Sequence, residues 1–409
     1  MGRSTHLLES KMTSHAADVS PLHILQVHTR YRQRGGEDAV VDNERRLLSN
    51  AGHEVSLWEA SNPESPARAL RSLASAPWNR AAAHSMADAV ADLRPDVVHV
   101  HNTWFAASPS VLAAASKAAP VVQTLHNYRL VCANGELTRD GRPCELCVGS
   151  SPWPAVRYGC YRDSRAMSIP AATTIAFNRW KGTWTDHVDK FVALTRFARS
   201  RLVVGGIPSD RIDVLPNVVP DPGPRSNETA TSDAILFVGR LTEAKGVATL
   251  LEAWNKSRPK GLTLRVVGTG PLDAAVASTP GVEAVGWVSP DQVAAEMLSA
   301  RALVFPSEWY EGMPMTLLEA MAAGLPVVGS NIGSVAEIVG RLGEDWLVAP
   351  GDVPAWGEAF EMITDSGRVT AAGSAARSIY ESTHTEEAGL QRLEVLYRQV
   401  IAERPLGRA

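Results

Sequence analysis

The stretch PSEWYEGMPMTLLEAMAAGLPVV, residues 306–328, is the most informative part of the chain for its fold. The apolar run ALVFP at 302–306 predicts a buried strand. A helix is predicted over 314–323, because proline suits the first turn of a helix and Gly324 suits its end. The run PVVG at 326–329 predicts the next strand. Strand, helix and strand at this spacing are typical of a parallel βαβ unit.

The same alternation continues outward from this unit in both directions. Further strand-like runs lie at 23–28, 54–58, 96–101, 121–126 and 190–194, then at 234–239, 262–268 and 282–287. Amphipathic stretches separate them, and a last amphipathic helix is predicted at about 386–402. The fold class is therefore predicted as α/β, with two Rossmann-like domains facing across a cleft. Ligands of such sheets bind at the carboxyl ends of the strands.

Proline, glycine and polar residues near position 220 break the alternation and predict a linker. The predicted division is a disordered leader at 1–20, an N-terminal acceptor domain at 21–217, a linker at 218–230, a C-terminal donor domain at 231–385, and a C-terminal helix at 386–409 that crosses back to the N-terminal domain. A cysteine-containing insertion is predicted at 129–165 within the first domain.

Composition narrows the classes of function. The 409 residues carry a net charge of −4, which argues against nucleic acid as a partner. The N-terminus lacks the apolar core of a signal peptide, and no run reaches the roughly 20 apolar residues of a membrane span. A cytoplasmic location is predicted, with the inner face of the membrane as an alternative, because the basic and apolar segment 196–204 suits peripheral membrane contact.

Charged residues at two strand ends point to a ligand with a diphosphate. Arg240 and Lys245 follow the strand at 234–239, where two cations suit phosphate oxygens, although two solvated loop charges would look the same. Eight residues of a continuous helix would separate Glu311 from Glu319 by about 12 Å, and Gly312 and Pro314 interrupt the helix between them. That separation exceeds the carboxylate spacing of glycosidases, so two contacts to one elongated ligand are the better interpretation.

The spacing Glu-x7-Glu within EGMPMTLLEAMAAGLPVV closely resembles the signature of retaining GT-B glycosyltransferases of family four. GRLTEAKG at 239–246, VVGTGP at 266–271, GWV at 286–288 and LVAPGD at 347–352 resemble the same family. The resemblance is strong over the C-terminal domain and looser over the N-terminal domain. It implies the GT-B fold, a nucleotide-diphosphate sugar donor, and chemistry without a catalytic metal or other cofactor.

The resemblance also implies roles for individual residues. Arg240 and Lys245 would bind the donor diphosphate, Glu311 the transferred sugar, and Glu319 the ribose. The remaining donor-binding residues implied are Gly35, Gly36, Gly286, Trp287, Gly312, Met313 and Pro314, with the backbone amides of Gly312 and Met313 at the sugar or β-phosphate and with Gly286 and Trp287 near the nucleobase.

His126 ends the strand at 121–126 and is predicted to lie at the cleft as a catalytic residue, with a buried structural histidine as the alternative. The family often has His-Asp or His-Gly at this point, whereas this chain has Asn127 after the histidine. The departure leaves the role of Asn127 open. His99 and His101 end a neighbouring strand, where an acceptor-lining role and a structural role are both open.

The predicted function is transfer of a sugar to a glycan, a lipid-linked sugar or a small molecule, in polysaccharide or glycoconjugate biosynthesis. A non-catalytic nucleotide-sugar-binding subunit and a GT-B nucleotide-sugar epimerase are the alternatives.

All four cysteines lie in the insertion, with the spacing Cys132-x11-Cys144-x2-Cys147-x12-Cys160. Four thiolates would suit a structural zinc ion that closes a long loop. Free thiols and a redox-labile disulfide are the alternatives.

Overall fold

The computed structural model describes residues 20–31 and 35–404, so nearly all of the predicted leader lies outside the described residues. The strands of the N-terminal domain are β1 (His23–Arg30), β2 (Glu54–Ser61), β3 (Val97–Asn102), β4 (Val121–Leu125), β5 (Thr138–Arg139), β6 (Arg142–Pro143), β7 (Lys190–Ala193) and β8 (Ile212–Val214). Its helices are α1 (Gly36–Asn50), α2 (Pro66–Ala74), α3 (Arg80–Leu93), α4 (Ser110–Ala115), α5 (Pro154–Tyr158), α6 (Arg165–Trp180), α7 (Thr183–Asp186) and α8 (Arg196–Val204).

The second half of the chain repeats the alternation. Its strands are β9 (Ala234–Val238), β10 (Thr263–Val267), β11 (Val282–Gly286), β12 (Ala302–Phe305), β13 (Val327–Ser330) and β14 (Leu347–Val348). Its helices are α9 (Val247–Ser257), α10 (Asp273–Ser278), α11 (Pro290–Ser299), α12 (Met315–Ala322), α13 (Gly333–Val339), α14 (Val353–Met362), α15 (Ser366–Thr383) and α16 (Glu386–Glu403).

Each half forms one six-stranded parallel sheet. The strand orders are β2-β1-β3-β4-β7-β8 and β11-β10-β9-β12-β13-β14. The central strands β3, β4, β9 and β12 are buried or nearly so, as expected when helices cover both faces of a sheet. β5 and β6 form a separate two-residue hairpin in the insertion. The predicted α/β class and the two Rossmann-like sheets agree with this architecture.

Two segments tie the halves together. Helix α16 returns to the N-terminal domain, where Leu393 and Tyr397 pack with Ile24 and Val122 in one buried cluster. The segment predicted as a free linker is itself packed, because the amide of the buried Val219 donates to the carbonyl of His384 at 3.1 Å. The connection between the domains is therefore packed against the C-terminal half of the chain.

Helix α8 of the N-terminal domain is capped by a carboxylate from the C-terminal domain. The Glu337 side chain accepts from the amides of Arg196 and Phe197 at 2.9 and 2.8 Å. A carboxylate at this end of a helix satisfies free amides and opposes the positive end of the helix dipole. Ser334 adds a hydrogen bond of 2.9 Å to Thr195, the N-cap residue of α8.

We expect Glu337→Ala to lower the free energy of unfolding by about 1 kcal/mol, because lost N-caps cost about that much. Chemical denaturation measures the change, with Glu358→Ala on the exposed face of α14 as the matched control. Equal stability of the two variants would contradict a stabilising role for the cap.

Candidate functional site

The site begins where two neighbouring strands of the C-terminal sheet end. The loop after β9 carries Arg240 and Lys245, and the loop after β12 carries Glu311. Gly246 joins the two loops: its φ is +70°, and a Cβ there would lie 1.8 Å from the Pro306 carbonyl oxygen. Only glycine allows this approach, which brings Lys245 to the end of β12.

Glu311 is held by three donors on one oxygen. Its Oε1 accepts from Lys245 Nζ at 2.6 Å, Trp309 Nε1 at 2.7 Å and Ser307 Oγ at 2.8 Å. Burial alone would raise the pKa of Glu311, but the charge of Lys245 and the three hydrogen bonds lower it below its ordinary value. The carboxylate is therefore ionised at neutral pH, and Oε2 lies outside these three bonds.

The two domains meet at the backbone beside this carboxylate. A Cβ at Gly312 would lie 2.6 Å from the backbone oxygen of His126, which follows β4. The hydroxyl of the buried Tyr128 donates to the Glu311 carbonyl at 3.1 Å. The structure thus brings the predicted residues His126, Lys245, Glu311 and Gly312 together at one point between the sheets.

Gly312→Ala is expected to force these backbones apart, because the added Cβ would meet the His126 carbonyl and not a flexible side chain. We expect about 1–3 kcal/mol of lost stability, and weaker nucleotide binding. Gly239→Ala is the control, because its Cβ would meet only the Phe237 ring at 3.5 Å. Thermal unfolding and calorimetric titration with nucleotide measure both effects, and wild-type behaviour of Gly312→Ala would contradict the contact.

The other predicted donor residues of the C-terminal domain differ in their burial. Arg240 is exposed, whereas Glu319 is partly buried on α12 and burial raises the pKa of its carboxyl. Trp287 follows the edge strand β11 and is 75% exposed. Gly286 lies at the end of that strand.

Met313 turns its side chain away from the cleft. Its sulfur accepts from the amide of Asn217 at 3.2 Å, so only its backbone is left for a ligand. Pro314 is the N-cap residue of α12, which begins one residue later and ends one residue earlier than predicted.

The glycine loop of the N-terminal domain faces the same helix. A Cβ at Gly36 would lie 3.7 Å from Met315, whereas a Cβ at Gly35 would meet nothing within 4 Å. Asp38 closes the first turn of α1 by accepting from the Gly35 amide at 2.9 Å. This acidic side chain places a negative charge at the N-terminus of α1, where the helix dipole favours one.

His126 is neutral in this environment. Burial and the neighbouring histidines lower its pKa to about 3. Its Nε2 lies 3.1 Å from Nδ1 of His101, which lies deeper in the sheet. His126 is therefore equipped to exchange hydrogen bonds and not to carry a positive charge.

Two models of known protein families match this chain, one in each half. Residues 34–221 match the family model described as Glycosyltransferase Family 4, and residues 232–366 match the model described as Glycosyl transferases group 1. The chain belongs to the family 4 glycosyltransferases. The predicted family and enzyme class are confirmed, whereas retention of configuration is untested.

Among the curated relatives of this family 4 glycosyltransferase is the 2-deoxystreptamine N-acetyl-D-glucosaminyltransferase of Streptomyces fradiae. It is 28% identical over 302 residues, which cover 67% of this chain and 64% of that protein. An amylovoran biosynthesis glycosyltransferase of Erwinia amylovora is 28% identical over 182 residues, covering 40% of this chain and 44% of that protein. The matches thus span less than two thirds of either relative.

Solved structures confirm the GT-B fold. Sucrose-phosphate synthase from Thermosynechococcus elongatus superposes with a TM-score of 0.68 at 17% identity, covering 94% of this chain and 100% of that chain. The Anabaena protein HepE, solved in complex with UDP, superposes with a TM-score of 0.62 at 15% identity, covering 92% of this chain and 100% of that one.

The four cysteines of the glycosyltransferase insertion are free thiols that lie near one another. Burial and then the charges of Cys132, Cys160 and Cys144 raise the pKa of Cys147 to about 11. Among the residues that the structure describes, the three ligand atoms found within 4.8 Å of one another belong to Glu44, His99 and His101 and not to cysteines. The predicted zinc site stays a prediction.

An open cavity of about 740 Å³ lies in the N-terminal domain beside Gly35. It is lined by aromatic and basic side chains and by polar or small ones, among them Tyr31, Asn62, Trp104, Arg129, Tyr161 and Arg162. The Arg129 guanidinium lies 4.7 Å from the Trp104 ring centre, and it donates to the carbonyls of Ala133 and Asn134 in the insertion. The cavity therefore has a positive charge that aromatic side chains and backbone carbonyls hold in place.

Three sets of side chains at the site have no signal in the sequence pattern. Ser307 and Trp309 donate hydrogen bonds to Glu311 and lie within residues 306–328, but their sequence positions alone do not indicate this role. Glu136 of the insertion reaches the donor loop, since the charges of Arg240 and Lys245 both act on its pKa. Glu37 accepts from the Tyr31 hydroxyl at 2.8 Å beside the cavity, where burial raises its pKa to about 8.

The basic segment 196–204 forms α8, and its arginines have protein partners. Arg201 pairs with Glu145 at 2.6 Å, and Arg199 donates to the carbonyls of Ile212 and Ser209. Across the part of the chain that the structure describes, no helix has both the length and the apolar character to cross a bilayer. Peripheral membrane contact stays a prediction.

Proposed function

We propose that this glycosyltransferase moves a sugar, with retention of its anomeric configuration, from a nucleotide-diphosphate sugar to a hydroxyl of a sugar-containing acceptor. The setting would be polysaccharide or glycoconjugate biosynthesis in the cytoplasm. The amylovoran relative supports the setting, and the UDP complex of the Anabaena neighbour makes UDP the first nucleotide to test.

The observation that carries the proposal is the Glu311 carboxylate. It is ionised, buried between the domains, and fixed through Oε1 by Lys245, Ser307 and Trp309. A fixed carboxylate of this kind suits two tasks: accepting from sugar hydroxyls through Oε2, and stabilising the positive charge that develops on a sugar ring during transfer.

The reaction would break the bond between the anomeric carbon and the β-phosphate oxygen. Lys245 and Arg240 would stabilise the charge that develops on the departing diphosphate. The acceptor oxygen would bond to the anomeric carbon on the face that the diphosphate leaves, and its proton would pass to the departing phosphate oxygen. Neutral His126 would orient the sugar by hydrogen bonding, Glu319 would bind the ribose, and Trp287 the base.

The cavity beside Gly35 would hold the acceptor. It opens toward the glycine loop that faces Met315, so a bound acceptor would lie on the N-terminal side of the cleft. Trp104 and Tyr161 are buried and hold the Arg129 guanidinium over their rings, and Arg129 and Arg162 favour an acceptor with an anionic substituent. An uronic acid and a sugar phosphate both have this chemistry.

A structural zinc ion in the insertion is a further part of the proposal. Four free thiols in one insertion are a suitable donor set by their chemistry, although among the described residues no three cysteine sulfurs lie within 4.8 Å of one another, so the sulfurs would have to draw together around the ion. The ion would hold together the segment that carries Arg129 and Glu136.

Calorimetric titration with UDP, GDP, ADP and TDP, without divalent metal, tests the donor site. We expect one nucleotide to bind selectively and to lose its binding in Lys245→Ala. The matching sugar nucleotides then enter a transfer assay that follows product anomeric configuration by NMR. Nucleotide binding without transfer would favour a non-catalytic subunit, and conversion of the donor alone would favour an epimerase. Absence of binding to all four would contradict the donor site.

A further inference from the structure

A second cluster of polar side chains lies inside the N-terminal domain, away from Glu311. His99 and His101 on β3 and Tyr397 on α16 are 0%, 4% and 0% exposed. Glu44 on α1 reaches them with a side chain that is 13% exposed. Polar groups this deep in a domain need partners, because burying them without hydrogen bonds or charges is costly.

The distances within the cluster are those of ligands around one ion. Glu44 Oε2 lies 3.3 Å from His101 Nε2 and 3.6 Å from His99 Nδ1. Four ligands at about 2.0–2.1 Å from a tetrahedral zinc ion are separated by roughly 3.3 Å. The Tyr397 hydroxyl hydrogen-bonds to His99 Nδ1 at 2.7 Å, which is shorter than the separation of two zinc ligands, so an ion bound to His99 would take the place of this hydrogen bond.

Two of these atoms lack a hydrogen-bond partner. Glu44 Oε2 and His101 Nε2 are both buried and unsatisfied, although they face each other. Within the described parts of the chain, the ion pairs of Glu44 involve these two histidines and no lysine or arginine. Unsatisfied buried atoms that converge on one point indicate a missing partner such as an ion.

The second ring nitrogen of each histidine, on the side away from Glu44, also has a hydrogen-bond partner. His99 Nε2 lies 2.7 Å from Thr124 Oγ1, and His101 Nδ1 lies 3.1 Å from His126 Nε2. Metal-binding histidines usually donate their second ring nitrogen in this way, which turns the first toward the metal. The hydrogen bonds therefore direct His99 Nδ1 and His101 Nε2 to the side where Glu44 lies.

We propose that Glu44, His99 and His101 bind a divalent transition-metal ion. Two imidazoles and a carboxylate suit zinc, with a water molecule in the fourth position. The ion would join α1, β3 and α16, and so fasten the returning C-terminal helix to the N-terminal sheet. It would also fix His101 and, through it, His126 at the domain contact.

The direct test is the metal content of the full-length protein after incubation with zinc chloride and dialysis, measured by plasma mass spectrometry. We expect His101→Gln and Glu44→Gln each to bind one zinc ion fewer than wild type. His53→Gln is the matched control, because His53 is also buried and contacts α16 through Glu394 at 2.9 Å, but lies outside the cluster. It should bind as much zinc as wild type.

A second pair of measurements separates this site from the cysteines and does not depend on how well the ligand variants fold. In a Cys144→Ser/Cys147→Ser background, X-ray absorption should show nitrogen and oxygen ligands at about 2.0 Å, not sulfur at about 2.3 Å. Thr124→Val removes only the outer contact of His99 and should weaken zinc binding about 10- to 100-fold. Sulfur-only coordination, no bound zinc, or zinc content unchanged in both ligand variants would overturn the proposal. None of these readouts depends on glycosyl transfer.

Discussion

Lys245→Met is expected to lower kcat/KM for sugar transfer by about a thousandfold. Removing one group that stabilises developing charge typically costs 10²–10³ in kcat, and lost nucleotide affinity adds to this. The substitution also removes the cation from a buried pair whose side chains are 16% and 10% exposed. Glu311 then keeps only its two neutral donors, so its pKa should rise.

The double variant Lys245→Met/Glu311→Gln separates stability from function. Breaking one half of a buried ion pair costs about 3–5 kcal/mol, whereas replacing both charges is often neutral. We therefore expect the double variant to regain much of the stability that Lys245→Met loses, without regaining transfer. Denaturation curves and initial rates measure the two properties.

Lys256→Met is the matched control for charge removal. Lys256 pairs with Glu252 at the same 2.6 Å distance, but both side chains are more than half exposed. Exposed pairs contribute about 0–1 kcal/mol, so this variant should behave as wild type. Full transfer activity in Lys245→Met would refute the assigned role of the lysine.

The fold was predictable because its signals are local. Apolar runs of four to six residues mark β9, β12 and β13, and the proline and glycine around α12 mark its ends to within one residue. Such features depend on a few neighbouring residues, and the regular βαβ alternation then limits the topology. The two parallel sheets followed from this alternation.

The contacts of the site were less predictable because they join distant segments. The sequence assigned Lys245 to a diphosphate and Glu311 to a sugar. It could not show that these two residues, 66 positions apart in the chain, bring Lys245 Nζ to 2.6 Å from Glu311 Oε1 in the fold. Glu136 was missed for a similar reason. Its insertion has little regular structure, so no periodicity indicates where its side chains point.

The buried histidines were the hardest residues to interpret. His99 was left open between an acceptor-lining and a structural role, since a polar residue at a strand end suits either. Its actual partners, Thr124 and Tyr397, come from β4 and from a helix almost 300 residues away. Only the return of α16 onto the N-terminal sheet reveals that His99 faces this helix.

Glu311→Gln is expected to give a different pattern from Lys245→Met. The amide keeps the size of the side chain but removes the charge that would stabilise the sugar ring, so kcat should fall about 10²–10³-fold. Lys245 loses its carboxylate partner and becomes free to pair with a diphosphate. We therefore expect the affinity for UDP, or for whichever nucleotide binds, to be unchanged or higher, while Lys245→Met lowers it.

The pH dependence provides an independent check on the same carboxylate. Because the pKa of Glu311 is lowered below 4.5 in the folded state, its ion pair stabilises the fold above pH 4.5 and is lost as pH falls through the folded pKa. As the pH is lowered below 4.5, the free energy of unfolding should therefore fall more in wild type than in Glu311→Gln. Acid denaturation of both proteins measures this difference.

Comparison of nucleotide and sugar-nucleotide affinities decides how Glu311 acts. If the carboxylate binds the sugar, Glu311→Gln should weaken the sugar nucleotide relative to the bare nucleotide, because only the former presents sugar hydroxyls to Oε2. If it instead serves only to position Lys245, both ligands should weaken together, as in Lys245→Met. Equal loss of both affinities would therefore remove Glu311 from the sugar site and leave it as a support for the lysine.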